Sequence, residues 1–175
     1  MRTTRLLSIV LTTVALAAPL TIAACGGGSQ AKAKTAAVKP GNLPAGASWD
    51  GVYFNPIWGY LHIVSDGTSF KGKWQRTDKS AWGEMHGTLT GDVARFEFVE
   101  HKVGMIGPAA VTKGKGYFRY VRPEGDNVDD RLKGEWGFDD AEVGGGEWDC
   151  IKQRNQQPDL NAIRGEEETG VGEWK

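Results

Sequence analysis

Hydrophobic and polar residues alternate with a period of two through most of the chain after residue 48. No stretch in this part keeps the 3.6-residue period of an amphipathic helix over three turns, whereas alternation is typical of half-buried strands. The pattern predicts eight strands, at 51–55, 60–65, 69–77, 82–90, 93–102, 113–122, 131–138 and 146–152. The sequence therefore predicts an all-β fold.

The predicted strands follow one another through short connections. Asp66-Gly67 and Gly91-Asp92 separate two pairs of strands, and glycine supplies the positive φ that two-residue hairpin turns require. The other connections hold about four to ten residues, too few for a crossover helix. Eight antiparallel strands joined in this way can close and remove both sheet edges. We predict a small antiparallel up-and-down β-barrel of about eight strands. An antiparallel β-sandwich is the alternative, because periodicity carries no information on closure.

The parity of each hydrophobic position assigns it to one face, since successive side chains of a strand point to opposite sides. One face is apolar and mostly aromatic, and the other carries the charged residues. The strand at 113–122 stays unassigned, because Tyr117 and Phe118 have opposite parity. The predicted barrel interior comprises Phe70, Trp74, Met85, Phe96, Phe98, Trp136, Phe138 and Trp148.

A Gly-x-Trp repeat runs through this pattern, at 72–74, 134–136, 146–148 and 172–174. A strand glycine leaves a slot for a neighbouring indole and permits the coiling of a narrow barrel. In strand number and in glycine and tryptophan usage, the domain resembles the calycin barrels of lipocalins and avidin-like proteins. The resemblance implies an interior that either just fills or holds one small molecule. It implies no binding residues, because lipocalins carry Gly-x-Trp in the first strand and this chain opens that strand with Trp49-Asp50-Gly51.

The first 24 residues have the pattern of an export signal, with Arg2 and Arg5 before an uncharged apolar stretch. Ile22-Ala23-Ala24-Cys25 resembles the lipobox of bacterial lipoprotein precursors. The resemblance implies cleavage before Cys25, a diacylglycerol thioether on its sulfur and a fatty acyl group such as palmitate on its amino group. Acyl chains contribute about 0.8 kcal/mol per buried methylene, so they anchor a protein to a membrane. In two-membrane sorting systems an Asp in place of Gly26 retains a lipoprotein at the inner membrane, so an exported, outer-membrane location is expected, either periplasmic or surface-exposed. A host with a single membrane is the alternative.

Composition divides the rest of the chain. Residues 25–48 hold the lipidated cysteine and a Gly, Ala, Ser, Lys and Pro segment with little apolar weight, which predicts a flexible tether spanning roughly 25 to 30 Å. The barrel domain is predicted at 49–154. A polar, mobile tail is predicted at 155–175.

Alternating connections place the links at 56–59, 78–81, 103–112 and 139–145 at one end of an up-and-down barrel. Apolar residues on these links are unexpected unless they fold over something. We predict a mouth at this end, capped by its own loops or open to a ligand or partner. The tether enters the first strand at the other end, so the mouth is predicted to face away from the membrane. The candidate mouth residues are Trp58, Trp82, Met105 and Ile106.

The charge balance and the sequence motifs indicate few candidate residues for catalysis or metal binding. The chain has 21 basic and 22 acidic residues, without the basic excess typical of a nucleic-acid partner. His62, His86 and His101 are the only histidines; their spacing matches no metal motif, and surface positions are expected. No nucleophile elbow, phosphate loop or dinucleotide fingerprint occurs, so no catalytic residue, metal or cofactor is predicted. With Cys25 consumed by lipid, Cys150 has no intramolecular partner, and its strand position predicts a buried, inert thiol.

These observations predict a lipid-anchored envelope protein that acts without catalysis. The first expected function is binding of a small apolar or aromatic ligand at the barrel mouth. The alternative is a structural or protein-interaction module of the envelope with a filled core. An internal void of about a few hundred Å³ favours the first, and a close-packed interior favours the second.

Overall fold

The structure is a computed structural model that describes residues 33–163. The predicted signal peptide at 1–24, the lipidation site Cys25 and the last Gly-x-Trp repeat lie outside the described residues. No helix within 33–163 has the length and apolar composition needed to span a membrane.

The described chain is all-β apart from two single 3-10 turns at Pro108–Ala110 and Leu160–Ala162. This result confirms the predicted fold class, and strand boundaries fall within about two residues of the predicted ones. The strands are β1 (Gly51–Asn55), β2 (Gly59–Asp66), β3 (Ser69–Gln75), β4 (Ala81–Thr90), β5 (Val93–Lys102), β6 (Val111–Val121), β7 (Arg131–Phe138), β8 (Gly146–Glu147) and β9 (Cys150–Lys152).

The sheet closes into a barrel. Strands β1 to β7 pair in sequence, each antiparallel to the next, and β9 pairs with both β7 and β1. Because the sheet closes, the fold is the predicted up-and-down barrel and not the alternative β-sandwich.

The short extra strand β8 continues the line of β9. Both pair with β7 in one register, with Glu147 opposite Glu135 and Cys150 opposite Leu132. Between them, the Asp149 side chain accepts the Gly134 N–H at 3.2 Å. The Asp149 side chain therefore replaces a backbone acceptor for the Gly134 N–H. Together, β8 and β9 form the eighth strand of the barrel, which is interrupted between them.

Two tight hairpins turn the chain at the end opposite the predicted mouth. Gly67-Thr68 joins β2 to β3, one residue later than predicted, and Gly91-Asp92 joins β4 to β5. Gly67 and Gly91 have φ of 61° and 56°, whereas the second turn residues have negative φ, the pattern of type II′ turns. We call this end, with the connection at 122–130, the far end. The mouth end carries the connections at 56–58, 76–80, 103–110 and 139–145.

Aromatic rings occupy the interior. Six of the eight side chains predicted to lie inside belong to the buried core, and Trp136 is partly buried against it. In β6, Phe118 and Tyr120 face inward, which resolves the strand that parity left open. Phe138 corrects the prediction: it follows the inward parity of β7 but is its last residue, and 55% of its surface is exposed at the mouth end.

Residues 34–48, here called the strap, lie along the outer wall before β1 begins. The strap starts at the connection after β7, where the Glu142 N–H donates to the Lys34 carbonyl (2.8 Å) and the Ala36 N–H donates to the Glu142 carboxylate (2.9 Å). It reaches the far end at the β4–β5 turn, where Gly41 and Asp92 exchange hydrogen bonds. The flexible tether predicted at 25–48 is therefore wrong for 34–48. Composition did not reveal the strap because its backbone, more than its side chains, makes the contacts.

Three arginines on the outer wall hold the strap. Each guanidinium donates to a carboxylate of the barrel and to a backbone carbonyl of the strap, and such charge-assisted hydrogen bonds are among the stronger ones in proteins. The groups joined are Arg95 with Glu142 and the carbonyls of Ala36 and Val38, Arg119 with Asp92 and the carbonyl of Lys39, and Arg122 with Asp130 and the carbonyl of Ala45.

The path of the strap bears on orientation. The prediction that the mouth faces away from the membrane assumes that the chain arrives from the far end. The strap removes this assumption, because the described chain begins beside the mouth-end connection at 139–145 and only then runs to the far end.

A second segment covers the outside of β2. The Asp159 N–H donates to Nδ1 of His62 at 3.0 Å, and Ile163 is 8% exposed. The mobile tail predicted at 155–175 is therefore wrong for residues 159–163, and residues 164–175 lie outside the described chain. His62 is buried rather than on the surface because this segment covers it.

Candidate functional site

Trp58 closes the mouth end. Its indole stacks on Trp148 with ring centroids 4.5 Å apart and meets Trp136 edge-on at 5.6 Å. The local sequence turns it inward: the Asn55 side chain accepts the Trp58 N–H at 2.9 Å, and Gly59 has φ of 73°. A Cβ at Gly59 would lie 2.0 Å from the backbone carbonyl of Gln75, the last residue of β3, so only glycine fits. Trp58 is 8% exposed and acts as a plug.

A buried ion pair locks the plug in place. Glu100 is 4% exposed and accepts Nε and Nη2 of Arg76, both at 2.9 Å. The Trp74 indole donates to the same carboxylate at 3.4 Å. The Arg76 guanidinium in turn lies 4.5 Å above the Trp58 ring. A buried carboxylate is tolerated only when it is paired and hydrogen-bonded, and this one holds the cation that clamps Trp58.

Trp148 lies at the centre of the interior and is fully buried. Its ring contacts five other aromatic rings, at centroid distances of 4.5 to 6.4 Å, from Trp58, Trp74, Phe96, Phe98 and Phe118. The centre of the barrel is therefore packed with rings. The indole N–H of Trp136 is buried without a hydrogen-bond partner, and an unmet buried donor costs about 1 to 3 kcal/mol.

The four predicted mouth residues do not form one site. Trp58 lies inside as the plug, whereas Trp82 lies on the outer wall and stacks on His101 at 4.4 Å. Met105 and Ile106 are 47% and 98% exposed on the connection between β5 and β6. The topology thus places Trp58 and Met105 at the same end, as predicted, but the residues face three different surroundings.

A polar network, which the sequence did not reveal, closes the far end. The Tyr120 hydroxyl donates to Asp130 at 2.6 Å, and Arg122 forms two hydrogen bonds of 2.8 Å to the same carboxylate. The Arg122 guanidinium holds the pKa of Asp130 below its ordinary value, although burial opposes the shift. Burial, followed by the hydrogen bond to Asp130, raises the pKa of Tyr120. Both oxygens of the Asp130 carboxylate thus accept hydrogen bonds from side chains of the same network.

Lys152 completes this end. Its ammonium donates to the Ser48 carbonyl and lies 5.4 Å and 5.5 Å from the ring centres of Tyr53 and Tyr120. Burial lowers the pKa of Lys152 and raises that of Tyr53, whose hydroxyl donates to the Trp49 carbonyl. The tyrosines are therefore protonated donors at neutral pH, and neither is a ready nucleophile.

Two grooves open on the outer wall. A groove of about 860 Å³ crosses β3 to β6, and one of about 620 Å³ lies between the strap and β6 to β8. Charges of both signs line the first, and Lys115 pairs with Glu97 and Asp140 at 3.1 Å each. Hydrogen bonds to Asp140 and Glu97 raise the pKa of Lys115. The charges that line this groove thus include pairs already satisfied within the protein.

Cys150 is buried in the core, and burial raises the pKa of its thiol. In the described range, no cluster of three or more His, Cys, Asp or Glu side chains is arranged to hold a metal ion.

Comparison with known proteins returned no matching family model, no matching curated protein and no matching solved structure.

Proposed function

We propose that the protein is a lipid-anchored, non-catalytic interaction module of the bacterial envelope, built on a barrel with a filled core. The observation that carries the proposal is the plugged interior: Trp58 closes the mouth and Trp148 fills the centre among five rings. A small-molecule carrier of this size needs an open internal cavity. The filled core favours the interaction module over the ligand carrier.

The anchor rests on the lipobox at 22–25. Metabolic labelling with an alkyne-tagged palmitate tests it. The wild-type protein should take up the label and stay with the membrane fraction, and Cys25→Ser should lose both properties. Cys150→Ser is the matched control, because its thiol is buried and should carry no lipid. Unlabelled wild-type protein contradicts the anchor.

The absence of catalysis rests on the state of the charged groups. Two networks inside the ends of the barrel, at Glu100 and at Asp130, have their carboxylates bound to arginine and to an aromatic donor. A general base needs a free lone pair within reach of a substrate, and these carboxylates are already engaged.

An apolar dye tests the filled core. N-phenyl-1-naphthylamine fluoresces in apolar cavities, and we expect no binding to the wild-type protein. Trp58→Ala removes the plug and opens a void beside Trp148, so this variant should bind the dye. Trp82→Ala removes an indole of the same kind from the outer wall and should not. Stoichiometric binding of the dye by the wild-type protein would instead favour the ligand carrier.

Native mass spectrometry of the protein purified from its own envelope separates the two functions further. A co-purified small molecule supports a carrier, and an associated protein supports the interaction module.

A further inference from the structure

The four most exposed large hydrophobic side chains of residues 33–163 all lie at the mouth end. Ile106, Ile57, Phe138 and Met105 are 98%, 66%, 55% and 47% exposed, ahead of every other large hydrophobic residue described. They come from three elements: the connections at 56–58 and 103–110 and the last residue of β7. Single exposed apolar residues need no explanation, but the concentration of the four most exposed ones at one end of the molecule indicates a contact surface.

The connection between β5 and β6 exposes an uncharged, apolar tip. Residues 103–112 carry no charge, and Lys102 and Lys113 flank them. The stems are pinned, because the Val103 N–H donates to the Ser80 carbonyl at 2.9 Å and Ala110 is 8% exposed. The tip at Met105 and Ile106 therefore projects from a fixed base. Lysine stems around an apolar tip suit a lipid surface, where the ammonium groups meet headgroups and the tip meets acyl chains.

The start of the strap joins the predicted anchor to the mouth-end side of the barrel. The strap runs from the mouth-end connection at 139–145 towards the far end, so its first residue, Lys34, lies beside that mouth-end connection. Only residues 26–33 separate Cys25 from Lys34. Fully extended, this segment reaches about 30 Å. The strap thus shortens the predicted tether to about a third of its residues, and the tether joins the barrel beside the connection that follows Phe138.

We propose that the mouth end docks on the lipid bilayer that holds Cys25, with Ile57, Met105, Ile106 and Phe138 at the surface of the acyl region. This inference rests on the proposed lipid anchor. Four apolar side chains bind a bilayer weakly on their own. The anchor makes their insertion intramolecular and raises its effective concentration. The plug at Trp58 then lies behind the docked surface, and the far end faces away from the membrane.

A fluorescent label tests the orientation in the mature, lipidated protein. Ile106→Cys and the matched control Val128→Cys each receive the environment-sensitive dye NBD. Val128 is an exposed apolar residue (38%) on a far-end connection. Lipidated Cys25 and buried Cys150 leave the introduced cysteine as the labelled site. The proteins are reconstituted into vesicles of phosphatidylethanolamine and phosphatidylglycerol, with and without doxyl-labelled lipid. Ile57→Cys provides a second mouth-end site on a different connection.

We expect NBD at 106 and at 57 to shift to the blue and to be quenched by the doxyl lipid several-fold more than NBD at 128. Equal quenching at both ends, or stronger quenching at 128, overturns the docking surface. A blue shift at 106 without quenching by lipid also overturns it, because the surface is then covered by a second copy or another protein. Intact mass separates the two proposals: protein without the diacylglycerol overturns the anchor, and the docking surface with it. Lipidated protein with position 106 in water overturns only the docking surface.

Discussion

The two ends of the barrel are closed by opposite means. At the mouth end, one indole plugs the interior and one buried ion pair clamps it. At the far end, a network of tyrosines and charged groups joins the strap, whose backbone carbonyls accept from several arginines. The mouth concentrates its stabilisation in a few side chains, and the far end distributes it over many hydrogen bonds. Single substitutions should therefore have larger effects at the mouth than at the far end.

The largest effect is expected from Trp148→Ala, at the centre that both ends share. Removing a fully buried indole leaves a cavity among five rings, and such changes cost about 3 to 5 kcal/mol. Urea denaturation measures the loss in the free energy of unfolding. Trp82→Ala, an indole stacked on the outer wall, should cost about 1 kcal/mol or less. Similar costs for the two variants contradict a core organised around Trp148.

The next prediction compares one carboxylate from each end. Glu100→Gln leaves Arg76 without its charge partner, and breaking a buried pair costs about 3 to 5 kcal/mol. Arg76 is 28% exposed, so we expect about 2 to 3 kcal/mol. Asp130→Asn faces Arg122, which is 41% exposed, and should cost about 1 kcal/mol. Both are measured by urea denaturation.

If Asp130→Asn proves the more costly variant, the proposed difference between the two ends is reversed. Intrinsic tryptophan fluorescence adds a second readout, because loss of the Arg76 clamp should expose the Trp58 indole and shift the summed emission to the red only in Glu100→Gln.

Acid should loosen the far end. Arg122 holds the pKa of Asp130 below its ordinary value, so the folded state binds the proton less readily than the unfolded chain. The stabilisation is present above the unfolded carboxyl pKa of about 4 and is lost as the pH falls through the lower folded value. Hydrogen exchange should show faster opening of the strap around Ala45 below about pH 4 in the wild type. Asp130→Asn should show this opening already at neutral pH, with a flatter pH dependence.

The strands, the closed barrel and most of the interior could be predicted because inward positions repeat with period two and turns carry glycine. The mouth and the strap could not. Trp82 follows a connection, but its neighbours Ala81 and Gly83 take the inward positions. The buried position of Glu100 could have been predicted, because this carboxylate shares the inward parity of Phe96 and Phe98. The strap could not be predicted in this way, because arginines bind its backbone carbonyls, which every residue has whatever its side chain.

The smallest effect concerns the covering of β2. His62 accepts the Asp159 N–H through Nδ1, and burial lowers its pKa. Protonation removes the acceptor, so the unfolded chain takes up a proton before the folded one. Stability should fall as the pH drops below the unfolded histidine pKa of about 6.5, until the lower folded pKa is reached. We expect a loss below about 1 kcal/mol, seen as faster hydrogen exchange at residues 159–163. His62→Asn should remove this pH dependence, and His101→Asn, on the outer wall, should retain it. Equal pH dependence in all three proteins would show that His62 does not control this segment.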